Sequence, residues 1–203
     1  MATYINQIKN RIDDMDKGKV FISNDFLDIA SNETVRRTLN QLVKENKINR
    51  IINGFYYRPR YSELIGEYEE PSMYELAIAI ARKYNWDIAP YNSTALNLLG
   101  LSTQVPSKWT FISSGRYIEY EIGNNKIEFK KVKPSEIANM SLKTATVIQA
   151  IKALGKDEIT EDDIRKIKQN LSKADKENLL REATSTTAWI YEVIRVICED
   201  ENE

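Results

Sequence analysis

The apolar positions in the first third of the chain change from a helical period to a strand-like one near Lys47. Between residues 33 and 46, apolar side chains recur at i, i+4, i+7 and i+8: Val35, Leu39, Leu42 and Val43. This spacing predicts a helix with one buried face and a polar face opposite. Residues 48–52 and 55–58 are typical of strands. The Asn53-Gly54 pair between them favours a tight hairpin with a type I′ turn, in which both central residues have positive φ.

Two further helices are predicted before this helix and hairpin. An apolar stripe predicts the first over residues 3–15: Ile5, Ile8, Ile12 and Met15. Ser23 can cap a second, short helix with three apolar residues, Phe26, Leu27 and Ile29, and Ser31-Asn32 can end it and cap the next helix. Helix, turn, second helix and hairpin, in that order, are typical of a winged helix-turn-helix. We therefore predict this module for residues 1–60.

The pattern changes again after the hairpin. Residues 61–71 contain a glycine, a proline and an acidic run, which are typical of a connector. Ser72 then begins a capping box with Glu75 and opens a new helix. We place the start of a second domain at this helix, so that the domain covers residues 72–203.

The middle of the second domain has strand-like alternation, and its end is helical. Strands are predicted over residues 86–89, 109–113, 116–122 and 126–132, the last two joined by a hairpin. From about residue 134 the pattern is helical, with capping residues Ser141, Thr160 and Ser172. The predicted fold class is α+β. It consists of an N-terminal winged helix-turn-helix and a mixed α/β domain with a small, mostly antiparallel sheet and a helical C-terminal part that covers one sheet face.

Charge is distributed unevenly along the chain. Its 203 residues carry 29 basic and 30 acidic side chains, a net charge of -1. Residues 1–60 hold 11 basic and 7 acidic side chains, or +4, which leaves -5 for the remainder. The basic excess therefore coincides with the predicted winged helix, as expected for a module that meets phosphates.

The composition also excludes several kinds of site. The sequence has no histidine and a single cysteine, Cys198. It therefore cannot form an intramolecular disulfide, a Cys/His zinc site or a histidine-dependent catalytic triad. No apolar run approaches the roughly 20 residues of a membrane span, and the polar start lacks the apolar core of a signal peptide. We expect a cytoplasmic protein that is not an enzyme and has no cofactor, metal or membrane partner.

The polar face of the second main helix supplies candidate DNA-binding residues. Three side chains in its first turns have forks that match base edges: Arg36, Arg37 and Asn40. A further set of cationic and polar residues is suited to phosphate contacts: Thr34, Gln41, Lys44, Lys47, Arg50, Asn53, Arg58 and Arg60. A solvated helix face has much the same composition, and winged helices also dock protein partners, so protein interaction remains the alternative.

Three other segments have competing interpretations. Residues 101–106 could bind a ligand, but a structured turn explains them as well. The Ser113-Ser114-Gly115 run could be a nucleophile or phosphate loop, although it lacks a base partner and the glycine spacing of such loops. Three glutamates on neighbouring strands could hold Mg²⁺, and an exposed sheet face with alternating charge is the favoured interpretation: Glu119, Glu121 and Glu128.

Two stretches carry a resemblance to a known family. The first is Thr-Val-Arg-Arg-Thr-Leu at residues 34–39, followed by Leu-Val-Lys-Glu at 42–45 and Gly-Phe-Tyr-Tyr-Arg-Pro at 54–59. The second is Leu-Gly-Leu-Ser-Thr-Gln-Val-Pro at 99–106. Together with residues 71–77 they resemble AbiEi-type antitoxins of bacterial type IV toxin-antitoxin systems, in a subgroup with an uncharacterised C-terminal domain. The resemblance covers roughly residues 1–135.

This resemblance implies a function. It implies a DNA-binding repressor that controls its own operon through an inverted-repeat operator in double-stranded DNA. It also implies an antitoxin that opposes a nucleotidyltransferase-like toxin, either by direct contact or only functionally.

Overall fold

In the computed structural model, which describes residues 3–64 and 66–199, the chain divides into two units, Met1–Asn85 and Trp86–Glu203. Each unit combines helices with small sheets in which most strand pairs are antiparallel, which confirms the predicted α+β class. The division between the units lies after Asn85, whereas the sequence predicted a boundary at Ser72. Among the described residues, no helix is long and apolar enough to cross a bilayer.

The first unit places a sheet among helices. In chain order its elements are α1 (Tyr4–Asp14), β1 (Val20–Phe21), a 3-10 turn (Ser23–Phe26), α2 (Asn32–Lys44), β2 (Asn49–Ile52), β3 (Phe55–Tyr57), β4 (Arg60–Ser62), β5 (Glu67–Glu69) and α3 (Met73–Tyr84). Strands β1, β3 and β2 form an antiparallel sheet in that order, and β4 pairs only with β5 among the described residues.

Local capping and apolar spacing explain α2. The Ser31 hydroxyl accepts a hydrogen bond from the Thr34 amide at the helix start, as the sequence predicted. Three of the four residues on the apolar face of α2 are buried, and Val43 is half-buried. The buried cluster includes Ile8, Ile12, Phe21, Phe26, Val35, Leu39, Leu42, Ile48 and Tyr56. The helix predicted after Ser23 is only a 3-10 turn. It ends before Leu27, which is exposed instead of buried.

The β2–β3 hairpin forms at the predicted position but with a different turn. Only Gly54 has positive φ, at +86°, so the turn is not type I′. A register shift between Arg50 and Ile52 accompanies it. A shift of this kind marks a β-bulge or other irregularity in the strand pairing, and a bulge re-aims nearby side chains.

Helix α3 belongs to the first unit because it is tied to strand β1. The Arg82 guanidinium donates to both carboxylate oxygens of Asp25 at 2.9 Å and to the Val20 carbonyl at 3.0 Å. Ser72 caps the helix by accepting a hydrogen bond from the Glu75 amide, as predicted. The segment predicted as a connector contains regular structure, because β4 extends into it from Arg60 and β5 lies within it.

The second unit places helices against a sheet. Its elements are β6 (Ile88–Pro90), α4 (Ser93–Leu98), β7 (Lys108–Ser113), β8 (Ile118–Ile122), β9 (Asn125–Lys131), α5 (Leu142–Leu154), α6 (Glu161–Gln169), α7 (Lys173–Glu182) and α8 (Ala188–Cys198). The sheet order is β6-β7-β9-β8, with β7 and β9 parallel and the other pairs antiparallel.

The helices of the second unit begin at the predicted caps. Ser141 caps α5, and Thr160 and Ser172 form capping boxes with aspartates three residues later. Helix α5 lies against β6, and a buried cluster of Ala89, Ile112, Ile137 and Ala145 joins the sheet to the helical part. The helical part therefore covers part of one sheet face, as predicted.

Candidate nucleic-acid interface

A cationic cleft lies between α2, the β2–β3 hairpin, the 3-10 turn and the end of α3. Its volume is about 750 Å³. Four cations line it, Arg36, Lys44, Arg50 and Lys83, together with four asparagines, Asn24, Asn32, Asn40 and Asn53. No carboxylate is among the described residues that line the cleft. Because nothing in its lining neutralises these cations, the cleft is suited to a polyanion.

Helical spacing places the α2 side chains of the cleft. Arg36, Asn40 and Lys44 are four residues apart, so they follow one another along the same side of the helix. Arg36 and Lys44 are exposed, and neither side chain forms an ion pair or hydrogen bond with another described residue. Their charged groups are therefore available to an external ligand.

Arg50 joins the hairpin to α2. Its Nη2 donates to the Asn40 Oδ1 at 2.5 Å, and its guanidinium lies 5.4 Å from the centroid of the Tyr56 ring. The bond uses one of the two lone pairs on the oxygen that a bidentate Asn-to-adenine contact requires. Asn40 therefore orients Arg50 and keeps its amide donors and one lone pair for a ligand.

Arg37, predicted with Arg36 and Asn40 to meet base edges, lies on a neighbouring face of α2. Its Nη2 donates to the Glu33 Oε1 at 2.6 Å, and both side chains are mostly exposed. Two other predicted residues, Thr34 and Gln41, share this face and line a second depression of about 350 Å³. Thr34 bonds to Ser31, and the Gln41 amide donates to the Glu45 carboxylate at 3.0 Å. The predicted DNA-binding residues of α2 are therefore divided between two faces of the helix.

Ile5 and Lys9 border the second depression from α1. The sequence placed Ile5 in the core stripe of α1, but 47% of its surface is exposed. Ile5 of α1 therefore faces the polar side of α2 and not its apolar side.

Arg58, which the sequence predicted to contact phosphate, is engaged at the end of α1. Its Nη1 donates to the carbonyls of Ile12 (3.2 Å), Asp13 (2.5 Å) and Met15 (3.2 Å), where α1 ends. The last carbonyls of a helix lack partners within the helix, so this guanidinium acts as a C-terminal cap.

Two other predicted phosphate residues also lie outside the cleft. Lys47 forms an ion pair with Glu45 at 3.3 Å. Arg60 pairs with Glu69 across β4 and β5 at 3.7 Å. Both cations remain more than half exposed, so these pairs hold them only loosely.

Among the cations and asparagines that line the cleft, three were not predicted from the sequence: Asn24, Asn32 and Lys83. Asn24 and Asn32 lie next to the predicted helix boundary and could have been found from their position. Lys83 could not, because it is in a helix that the pattern assigned to the second domain. Its presence in the cleft depends on the packing of α3.

The three glutamates considered for Mg²⁺ form ion pairs with lysines on the sheet of the second unit. The Glu128 side chain, only 7% exposed, pairs with Lys108 at 3.0 Å and accepts a hydrogen bond from the Tyr117 hydroxyl at 3.2 Å. Tyr117 also donates to Glu119 at 2.7 Å, and this bond is the main reason why the pKa of Tyr117 is raised to about 12. The same bond, with help from Lys108, lowers the pKa of Glu119. The described residues contain no cluster of three or more His, Cys, Asp or Glu side chains positioned for a metal.

The serine-glycine run in the second unit has structural partners. The Ser114 hydroxyl accepts a hydrogen bond from the Asp87 amide at 2.9 Å, and the Ser113 hydroxyl accepts one from the Gly115 amide at 2.9 Å. A Cβ on Gly115 would lie 2.1 Å from the Trp86 indole. The glycine is therefore explained by close packing against this ring.

The loop at residues 101–106 is held by hydrogen bonds of its own. The Asn97 side-chain amide donates to the Gln104 carbonyl at 3.1 Å, and the Ser102 hydroxyl accepts from the Gln104 amide at 3.2 Å. These bonds support the interpretation as a structured turn.

Most of the chain, residues 7–179, matches the family model described as "Family of unknown function (DUF6088)". No curated protein matches the chain. Among solved structures, the crystal structure of RV2827C protein from Mycobacterium tuberculosis aligns with 98% of this chain and 77% of its own, at 11% sequence identity and a TM-score of 0.41.

Proposed function

The chain belongs to DUF6088, a family of unknown function, and we propose that it is a transcriptional repressor that binds double-stranded DNA with its first unit. The observation that carries this proposal is the cleft between α2 and the β2–β3 hairpin, which is lined by four cations and by no carboxylate among its described residues. In a winged helix-turn-helix, α2 would be the recognition helix and the hairpin the wing. The cleft between them would hold the phosphate backbone of one strand.

The residues divide between the two tasks that DNA recognition needs. Arg36, near the start of α2, can place its guanidinium fork on the O6 and N7 of a guanine. Lys44 and Arg50, farther along the cleft, suit phosphate contacts. If the other three cleft cations, Lys44, Arg50 and Lys83, each met a phosphate, the slope of log affinity against log salt would be about -2.7. Affinity should therefore fall steeply as salt rises.

Arg37 and Glu33 add a second reading element on the exposed side of α2. Their ion pair leaves most of both side chains exposed. In the major groove Arg37 could donate to a guanine, and Glu33 could accept from a cytosine amine. The pair would open at little cost because exposed ion pairs contribute only about 0–1 kcal/mol.

The antitoxin role is the second part of the proposal and rests on the family resemblance of residues 34–59 and 99–106. Two copies of the protein would bind an inverted-repeat operator upstream of their own gene. A single recognition helix with modest net charge binds weakly, and two half-sites gain affinity through effective concentration. The opposed toxin would be a nucleotidyltransferase-like protein, contacted directly or opposed only functionally.

Docking of a protein partner is the alternative function. Tyr4 and Ile5 on α1 are 62% and 47% exposed, and Ile5 borders the depression beside Arg37. An apolar and cationic surface of this kind suits a protein partner. Loss of partner binding in an Ile5→Asp variant that retains DNA binding would support this second role.

A gel-shift titration with the DNA upstream of the gene tests the DNA-binding proposal. Arg36→Ala should cost about 1–3 kcal/mol on the specific site and relax base preference there. Arg116→Ala, at an exposed arginine of the second unit, is the matched control and should leave binding unchanged. Equal affinities for the wild type and both variants would refute the assignment of the cleft.

Growth assays test the antitoxin role separately. Cells that express a nucleotidyltransferase-like toxin encoded beside this gene should recover when the protein is co-expressed. If the two roles are separable, Arg36→Ala should abolish repression of a promoter reporter and still restore growth. A protein that represses its promoter without restoring growth would be a regulator and not an antitoxin.

A further inference from the structure

Lys83 approaches the cleft from outside the predicted winged helix. It lies at the end of α3, and its Nζ is 4.6 Å from the centroid of the Phe55 ring on β3. The same Nζ lies 3.3 Å from the position that a Cβ on Gly54 would occupy. The ammonium group therefore sits directly against the turn of the hairpin.

The surroundings of Lys83 hold its charge in place without neutralising it. The aromatic rings of Phe55 and Tyr84 lie under the ammonium, the latter at 5.7 Å. Ring faces attract a cation but carry no net charge, so the full positive charge remains available to an anion. Carboxylates are absent from the described lining of the cleft, so no competing anion is built into the site.

Arg82 fixes the position of its neighbour. Its two bonds to Asp25 and its bond to the Val20 carbonyl attach the end of α3 to the 3-10 turn and to β1. A bidentate arginine–carboxylate pair restricts orientation as well as distance. These bonds fix the backbone at the next residue, Lys83, whose ammonium group lies against the Phe55 ring.

From this geometry we propose that Lys83 is a further ligand of the DNA phosphate backbone, and that the DNA-binding unit extends through α3 to Asn85. The inference rests on the proposed DNA-binding function. Lys83 lines the cleft from α3, and Arg36 and Lys44 line it from α2, so a phosphodiester chain in the cleft would meet cations from both helices. A contact beside the hairpin turn reads no base, and its contribution is independent of sequence.

Fluorescence anisotropy across a series of salt concentrations tests the inference on the full chain. Two labelled duplexes are used, the upstream region and a scrambled sequence of the same length. Loss of one phosphate contact in Lys83→Gln should reduce the magnitude of the salt slope by about 0.9 for both duplexes. At 0.1 M salt this corresponds to binding that is roughly eightfold weaker. Lys83→Arg should keep the wild-type slope.

Lys17→Gln is the matched control, since it removes the same charge from the same unit at an exposed position outside the cleft. If Lys83→Gln kept the wild-type slope of log affinity against log salt while Arg36→Ala still weakened binding, the role of Lys83 would be overturned and the proposed function would stand. An effect of Lys83→Gln on only one duplex, or equal slope changes in Lys83→Gln and Lys17→Gln, would also overturn it. A wild-type protein that binds neither duplex would refute both the inference and the proposed function.

Discussion

Replacing Arg58 by alanine should destabilise the first unit and leave its DNA contacts intact. The guanidinium donates to carbonyls of Ile12, Asp13 and Met15 at the end of α1, and 23% of the side chain is exposed. Sequence reasoning assigned the same residue to DNA phosphates. The two roles predict opposite results, so one variant can separate them.

The magnitude follows from the number of bonds that are lost. A hydrogen bond from a charged donor contributes about 1.5–3 kcal/mol, and a cation at a helix C-terminus adds about 0.3–1 kcal/mol. The three carbonyls share one nitrogen, which cannot form three full bonds, and water can reach them once the side chain is removed. We therefore expect Arg58→Ala to cost about 2 kcal/mol.

Amide hydrogen exchange is the suitable assay because it reports on each unit separately. The three tryptophans, Trp86, Trp109 and Trp189, all lie in the second unit, so intrinsic tryptophan fluorescence would not follow the first. A loss of 2 kcal/mol corresponds to roughly 30-fold faster exchange of the core amides of α2. The salt slope of DNA binding, measured where the variant is folded, should not change.

Arg60→Ala is the control for Arg58→Ala. Arg60 is close in sequence and 65% exposed, and its ion pair with Glu69 is long, so the variant should cost at most about 1 kcal/mol. Unchanged exchange in Arg58→Ala, combined with a salt slope reduced by about 0.9, would show that Arg58 contacts phosphate and that its helix-capping role is wrong.

Three further results are expected. Asn40→Ala and Arg50→Ala should each weaken DNA binding. Because the two residues share a hydrogen bond, their effects on the binding free energy should differ from additivity by about 0.5–3 kcal/mol in a double-mutant cycle. Additive effects would show that the bond opens in the complex. An ultraviolet pH titration of Tyr117→Phe should lack the phenol that ionises at about 12. Because the pKa of Tyr117 is raised, its bond to Glu119 stabilises the fold below the ordinary tyrosine pKa, and this stabilisation is lost as the pH rises through about 12. Gly115→Ala should lower the melting temperature of the second unit, since its Cβ would overlap the adjacent indole ring and overpacking costs about 1–3 kcal/mol or more.

Features governed by neighbouring residues were predictable from the sequence. The capping serines and threonine at Ser31, Ser141, Thr160 and Ser172 act within three residues of themselves, so their patterns determine where helices begin. The apolar face of α2 and the hairpin position were predictable for the same reason. The parallel pairing of β7 with β9, which are separated in sequence by β8, was not predictable, because strand order depends on contacts between residues distant in sequence.

The candidate site was only partly predictable, for the same physical reason. Arg36 and Asn40 follow from helical spacing. Arg58 bonds to carbonyls 43 to 46 residues away, and Lys83 enters the cleft only because α3 packs on β1. A cationic side chain has the same appearance in a sequence whether it caps a helix or meets a phosphate. Its role depends on tertiary contacts.

Chemical-shift mapping of the 23.5 kDa protein on titration with a duplex of its upstream DNA tests the central claim most directly. The largest amide shifts are expected in α2, in the Asn53-Gly54 turn, around Asn24 and near Lys83. Residues of the β7–β9 sheet should change little. Shifts confined to the second unit, or no shifts at low salt, would contradict the assignment of the α2–hairpin cleft as the DNA-binding site.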